Sequence, residues 1–432
     1  MNVECSSTPS SPVDSNKQRV TWPKPVACVS RYRYTKRRYR FVFGLLDTIA
    51  SPLSAFVRRL VPNPPHHEPR SILIVQLDHI GDAVLTTPML RALHEKFPRA
   101  AIDVLASGSN QEIFRGSAHV RNVYVSERNW HARGAGKQSY FVEVLRLGRA
   151  MRRMHYDLGI DPRGDFFAIL VLWLAGIARR VGWDCGGGGF LLSDVAAWNP
   201  LRHEVDARRA LLEPLGIQSD YRQPELHPSW AAQYSVREML ATRPEPQPPI
   251  AVIHASAGTS AKRWPLEHQA ELVERLLSSV ACSVILVGDV HDRYLSRRIS
   301  RRHRQVIDWT GRLSLMQLAA LLDEADLFIG GDSGPAHIAA AMGTPSVVLF
   351  SGTNRSECWQ PVGPRVKVIR HLTPCSPCHR KHCHVPGHPC MAEIRPEAVL
   401  EAARTVICHS PRCENDWSMN SPQHEIQTEP AA

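Results

Sequence analysis

Residues 326–350 read DLFIGGDSGPAHIAAAMGTPSVVLF. An apolar run from Asp326 to Ile329 breaks into small residues, enters a helical pattern over Pro335 to Met342 and returns to a second apolar run, Ser346 to Phe350. Strand, tight turn, helix and strand in so short a span make a parallel βαβ unit. Proline suits the first helical turn because its missing N–H would be unpaired there anyway, and the amides around Ser333, Gly334 and Ala336 would then face an anion. A diphosphate is the natural occupant. Asp332 would repel that phosphate if it faced it, so it is expected to accept hydrogen bonds from neighbouring amides or sugar hydroxyls; an N-cap carboxylate is the plainer alternative. His337, near the start of the same helix, either donates to the phosphate or packs in the core. No Gly-Lys-Ser/Thr follows the glycines and no Gly-x-Gly-x-x-Gly is present, which sets aside both the Walker loop and the dinucleotide fingerprint.

The same alternation extends in both directions. Upstream come strand Ile250 to His254, a helix from about Leu266 to Ser278, strand Ser283 to Val287, and helices from about Asp292 to Arg301 and Ser314 to Glu324. Earlier still, Ile72 to Gln76 and Ala101 to Leu105 read as strands around a helix from about Asp82 to Lys96. Two doubly wound α/β halves are expected, Rossmann-like, with a cleft between them and ligands at the carboxyl ends of the strands. The expected divisions are a basic extension over 1–70, disordered or on a membrane surface, a domain over 71–245, a second over 246–410, and a flexible tail over 411–432. The boundary near 245 follows the prolines at 244, 246, 248 and 249, and the glycines at 186–189 mark a loop that is flexible or closely approached. Phe166 to Ile177 is apolar at helical length but too short to span a bilayer, so a buried helix is expected, with a lipid-facing patch as the alternative.

Two further loops carry candidate chemistry. His254-Ala-Ser-Ala-Gly-Thr-Ser-Ala-Lys262-Arg-Trp-Pro follows the first strand of the second half. Its small residues, Ser256 and Gly258 among them, allow close backbone approach, and Lys262 supplies a point cation for a leaving diphosphate. Gln76-Leu-Asp78-His79-Ile-Gly81-Asp82 opens the first helix of the N-terminal half. A carboxylate there, Asp82 or its rival Asp78, can take a proton from an attacking hydroxyl, although a helix start also favours Asp82 as a simple cap. No Asp-x-Asp pair stands anywhere in the chain, so metal-independent chemistry with no required cofactor is expected. Cys375, Cys378, Cys383 and Cys390 have the ligand count of a structural zinc site, against the alternative of a reduced, unmetallated loop.

The net charge of +11 is unevenly placed: residues 1–70 hold twelve Lys/Arg against four acids, a share of +8. That leaves a nearly balanced body and argues against nucleic-acid binding as the main activity. The basic run Arg31 to Arg40 followed by apolar Phe41 to Leu60 is expected to contact an anionic membrane surface, with a disordered basic tail as the alternative. The first thirty residues lack an apolar signal-peptide core, and Phe41 to Val57 is short and interrupted by Asp47, Ser51, Pro52 and Ser54. With eleven cysteines and no secreted disulfide framework, a cytoplasmic protein on the inner membrane's cytoplasmic face is expected.

The stretch Leu77-Asp-His-Ile-Gly-Asp-Ala-Val-Leu-Thr-Thr-Pro, then Lys262-Arg-Trp-Pro, then Gly331-Asp-Ser-Gly-Pro-Ala-His resembles, in this order, the hallmarks of glycosyltransferase family 9, the lipopolysaccharide heptosyltransferase family. The similarity runs over about residues 71–405. It implies a GT-B fold and an inverting transfer of heptose from ADP-heptose to a lipopolysaccharide core or related lipid-linked glycan of the cell envelope. The donor would sit on the C-terminal domain and the acceptor on the N-terminal one. By the resemblance Asp82 is the base, Lys262 the phosphate contact, Asp332, Ser333 and Gly334 the donor loop, and Asp292 the acidic position at the donor's ribose. Ser256-Ala257-Gly258 stands where some members carry a Thr-Thr pair. A GT-B enzyme using a UDP- or GDP-sugar, as transferase or epimerase, is the rival within enzymes, and a basic nucleic-acid-binding protein the rival outside them.

Overall fold

The computed structural model describes residues 37–60, 67–128, 140–243, 248–280 and 282–407. The start of the basic extension, the prolines at 244 and 246 and the tail over 411–432 lie outside the described residues. Two six-stranded sheets are present among them, every pairing parallel.

The first sheet contains β1 (Ser71–Gln76), β2 (Ala101–Ser107), β3 (Asn122–Ser126), β4 (Leu158–Ile160), β5 (Arg179–Gly182) and β6 (Asp194–Val195), in the order β3-β2-β1-β4-β5-β6. Its helices are α1 (Arg37–Leu60), α2 (Ile80–Lys96), α3 (Gln111–Arg115), α4 (Tyr140–Arg152) and α5 (Phe166–Leu174), followed after β6 by α6 (Glu204–Ala210) and α7 (Trp230–Ala241). The second sheet contains β7 (Ile250–His254), β8 (Ser283–Val287), β9 (Ile307–Asp308), β10 (Leu327–Gly331), β11 (Ser346–Phe350) and β12 (Val366–Arg370), in the order β12-β11-β10-β7-β8-β9. Around it lie α8 (Leu266–Ser279), α9 (Arg293–Ser300), α10 (Leu315–Glu324), α11 (Gly334–Ala341), α12 (Ser356–Trp359), α13 (Pro389–Ala392) and α14 (Pro396–Ile407).

Both orders are the same winding. Each sheet grows outward from its first strand, then crosses to the other side of it, so β1 and β4 flank the crevice in one sheet and β7 and β10 in the other. The central strands are buried on both faces, which is why they read as unbroken apolar runs. Helix starts follow local chemistry: the Ser314 hydroxyl accepts from Gln317 N at 3.2 Å while Gln317 Oε1 accepts from Ser314 N at 2.9 Å, opening α10. Pro335 stands in the first turn of α11. Two such sheets facing across a shared core form the expected GT-B architecture.

The two halves meet along α2 and α11, whose buried residues belong to one apolar core shared by both sheets. The closeness depends on two glycines. A Cβ on Gly81, in the first turn of α2, would lie 2.8 Å from Cδ2 of His337, and one on Gly334, the first residue of α11, would lie 3.0 Å from Cβ of Ile80. Each half leaves a side chain out where the other half puts one in.

The fold starts earlier than Ser71, where ordered structure was expected to begin. Within α1, Asp47 is buried and its Oδ1 accepts from Gly188 N at 2.9 Å, while the Phe43 ring lies 5.3 Å from that of Phe166. Asp47 reads in sequence as an interruption of an apolar stretch; in the structure it is the residue that ties α1 to the body. The glycine loop is closely approached, since a Cβ on Gly186 would come within 1.8 Å of the Gly164 carbonyl. α5 is shorter than its apolar run and only half-buried: Ile169, Val171 and Leu172 are inside while Trp173 is 48% exposed.

Candidate active site

The loop from β1 into α2 and the loop from β4 into α5 meet at the crevice of the first sheet. His79 occupies the N-cap of α2 and Asp82 falls within the first turn. The Asp82 carboxylate turns instead to a buried guanidinium: Oδ1 accepts from Arg208 Nη2 at 3.0 Å, and Oδ2 lies 3.7 Å from Arg163 Nη1. Arg163 Nη1 also pairs closely with Asp78 Oδ1. Asp78 Oδ2 accepts from Gln76 Nε2 at 3.2 Å, Gln76 Oε1 accepts from Thr86 Oγ1 at 3.0 Å, and Thr86 Oγ1 accepts from Arg208 Nε at 3.0 Å. The circuit closes on Asp82, fixing both candidate carboxylates.

Arg208 also donates to Glu204 Oε2 at 2.7 Å and is itself fully buried. Burial alone would lower the Arg163 guanidinium, but Asp78 and Asp82 reverse the effect and raise it. Below the circuit, Asp161 is buried at the end of β4 and accepts from the backbone N–H of Arg163 and Asp165 at 3.1 and 2.8 Å. Burial pushes its carboxyl up to about 8, the neighbouring Asp165 adding to the shift. These arginines escaped the sequence reading. Arg208 is 126 positions from Asp82 and sits on a helix whose local pattern is that of a solvated face.

In the second half the loop after β7 and the loop from β10 into α11 bring the donor candidates together. Lys262, at the end of a single 3₁₀ turn, reaches back so that Nζ lies 2.5 Å from Asp332 Oδ2. His254, Ser256, Lys262, Gly330 and Gly331 line one pocket at the carboxyl ends of these strands. Gly258 is exposed with open space around it. Ser333 is the N-cap of α11, and its hydroxyl lies 3.1 Å from the Gly331 carbonyl and 3.3 Å from His254 Nδ1. Asp292 closes the capping box that Asp289 opens in the neighbouring turn, with Oδ2 accepting from Asp289 N at 3.1 Å and standing 4.0 Å from His254 Nε2. It therefore lies beside this pocket, in the turn that follows β8.

His337 stands at the seam. It is buried, its Nδ1 has no hydrogen-bond partner among the described residues, and it lies within electrostatic reach of Asp332, Asp82 and Lys262. Burial pushes the imidazole down to about 4, so it is neutral at ordinary pH. Acceptor-side and donor-side candidates thus converge on one buried ring.

Among the described residues, no group of three or more His, Cys, Asp or Glu side chains is placed to hold a metal ion. The four cysteines of the candidate zinc loop are free. Burial pushes the Cys390 thiol up to about 11 and raises Cys378 as well. The loop braces the Lys262 turn. Ala261 N donates to the Lys381 carbonyl at 3.1 Å, Ser260 Oγ meets His382 Nδ1 at 2.8 Å, and His388 Nε2 lies 3.0 Å from the Ala261 carbonyl.

Residues 144–388 match the profile of glycosyltransferase family 9 (heptosyltransferase). The chain belongs to that family. The family 9 chain is 26% identical to the lipopolysaccharide heptosyltransferase 2 of Escherichia coli K12 over 352 residues, covering 78% of this chain and 98% of the relative. It is 27% identical to an Escherichia coli lipopolysaccharide heptosyltransferase 3 over 65% of this chain and 83% of that one. Among solved structures it superposes on the Escherichia coli ADP-heptose lipopolysaccharide heptosyltransferase II with a TM-score of 0.64 at 23% identity, over 78% of this chain and 98% of the other. A family 9 glycosyltransferase from Veillonella parvula gives 0.67 at 19% identity, over 81% and 100%. This family 9 enzyme is thus a glycosyltransferase that shares the fold of these neighbours.

Proposed function

We propose that the enzyme transfers heptose from ADP-heptose to a lipopolysaccharide core or related lipid-linked glycan, with inversion and without a metal ion. The observation that carries this reading is the seam itself: two strand-crossover crevices open toward one another, one presenting Asp82 and the other Lys262 and Asp332, with His337 in electrostatic reach of all three. The named relatives supply the sugar and the acceptor class. Chemistry at such a seam needs only positioned groups. Asp82, its Oδ1 held by Arg208, takes the acceptor hydroxyl's proton on Oδ2. The oxygen attacks the anomeric carbon from the side opposite the diphosphate, the carbon–phosphate-oxygen bond breaks, and the leaving diphosphate takes its electron pair. Lys262, with the amides at the start of α11, receives that charge once it exchanges Asp332 for phosphate.

Thermal unfolding of the purified chain with a panel of sugar nucleotides tests the donor. ADP-heptose is expected to raise the midpoint more than UDP- or GDP-sugars, and a shift with UDP-sugars alone would sink the assignment. Analysis of the product's anomeric configuration reads the inversion directly.

A further inference from the structure

α1 meets the body through one stripe. Phe43 and Asp47, one helical turn apart, face the first half, the one on Phe166 and the other on Gly188 N. The other side of the helix carries Phe41, Val42, Leu45 and Ile49, exposed at 73, 56, 52 and 68%. This inverts the usual amphipathic arrangement, in which the apolar stripe faces the core and the charges face water. A surface helix that turns its acid inward and its apolar residues outward has a partner to cover them.

We propose that this face of α1 docks onto an anionic lipid bilayer surface. The charge pattern selects that partner. The helix begins with Arg37, Arg38 and Arg40 and ends with Arg58 and Arg59, and its one acid, Asp47, is withdrawn onto the glycine loop. Cationic ends around an apolar middle complement anionic headgroups over acyl chains. A protein groove or a second copy of the chain would have no need of arginines at both ends. No helix among the described residues is long and apolar enough to cross a membrane, so α1 lies in the plane of the interface. A chain of rings, Phe43 to Phe166 to Phe167 to Tyr140, links α1 through α5 to the start of α4, where Tyr140 and Phe141 are also exposed. Docking there brings the first half, not the donor half, to the lipid. The inference stands apart from the choice of sugar and acceptor.

Sedimentation of the full chain with vesicles of phosphatidylethanolamine and phosphatidylglycerol, against vesicles of phosphatidylcholine alone, tests it. The enzyme is expected to sediment with the anionic vesicles, to be released by high salt, and to partition about a hundredfold more weakly as the Phe41→Asp, Leu45→Asp, Ile49→Asp triple variant with its unfolding midpoint unchanged. Should the triple variant fold poorly, Ile49→Asp alone is expected to weaken partitioning about tenfold. The proposal is overturned if the wild-type chain ignores anionic vesicles, if the folded variants bind them as well as it does, or if the substitutions convert a dimer into a monomer, which would make a second copy the partner.

Discussion

Arg208 Nη2 donates to Asp82 Oδ1 at 3.0 Å, and neither side chain meets solvent to any extent, the arginine being 0% and the aspartate 6% exposed. A buried ion pair gains little over an apolar pair of the same shape, but losing one partner strands the other charge in the interior. Arg208→Met is therefore expected to destabilise the fold by about 3–5 kcal/mol, because Asp82 and Glu204 lose their shared cation together. Urea unfolding measures it, and a loss below about 1 kcal/mol would mean that water already screens the pair.

Asp82→Asn keeps the shape and the bond from Arg208 while removing the acceptor of a proton. A fall in kcat of about 10²–10⁴-fold is expected, with nucleotide affinity by calorimetry nearly unchanged. If Asp78→Asn costs more than Asp82→Asn, the two carboxylates have exchanged roles.

Lys262 Nζ stands 2.5 Å from Asp332 Oδ2, so the carboxylate holds the cation where the proposed phosphate would be received. Lys262→Ala removes that cation and leaves Asp332 unbalanced. Affinity for ADP is expected to fall about tenfold or more, and the residual binding to depend less on ionic strength. An unaltered salt dependence would show that Lys262 does not reach the phosphates.

His337 carries a pH signature. Burial pushes it down to about 4 in the fold, while the unfolded chain titrates near 6.5, so between these values the unfolded state binds more protons. Its contribution is neutral above about pH 6.5 and becomes destabilising as pH falls toward 4, reaching about 2 kcal/mol at pH 5. The loss of stability between pH 7 and pH 5 is expected to be smaller by about this amount in His337→Gln than in the wild-type chain. Identical losses would place the ring in contact with water.

Gly81→Ala puts a methyl group 2.8 Å from the His337 ring, which is buried and cannot step aside. The variant is expected to keep both sheets, with its far-UV circular dichroism unchanged, but to push the halves apart, lowering kcat about tenfold or more. A variant with full activity would show that the seam opens freely in the working enzyme.

Much of this was legible in the sequence. Strands Ile250–His254, Ser283–Val287 and Ser346–Phe350 fall where their apolar runs read, and α11 begins around Pro335 as its missing N–H requires. These signals are local, fixed within a few neighbours. What stayed hidden depends on distance. Arg163 and Arg208 look like ordinary surface cations until the fold sets them on Asp78 and Asp82, and Asp47 reads as a break in an apolar run until Gly188 is seen opposite it. The cysteine loop shows another side of this: Cys375-x2-Cys378 draws the eye by its spacing, while the contacts of His382 and His388 that make the loop a brace for the Lys262 turn have no local signal.

The bare positions at Gly81 and Gly334 bear on how such an enzyme can be recombined. Both stand in the opening turn of helices at whose starts lie the proposed base Asp82 and the proposed donor loop at Asp332, so any error where the halves join passes directly into the proposed site. One added carbon is about 1.5 Å, as large as the misplacement that costs about a hundredfold in rate. A chimera exchanging either half for that of another enzyme of this architecture would inherit whatever that half binds. Its turnover would depend on two hydrogen atoms, one contributed by each parent, being left where a side chain would otherwise stand.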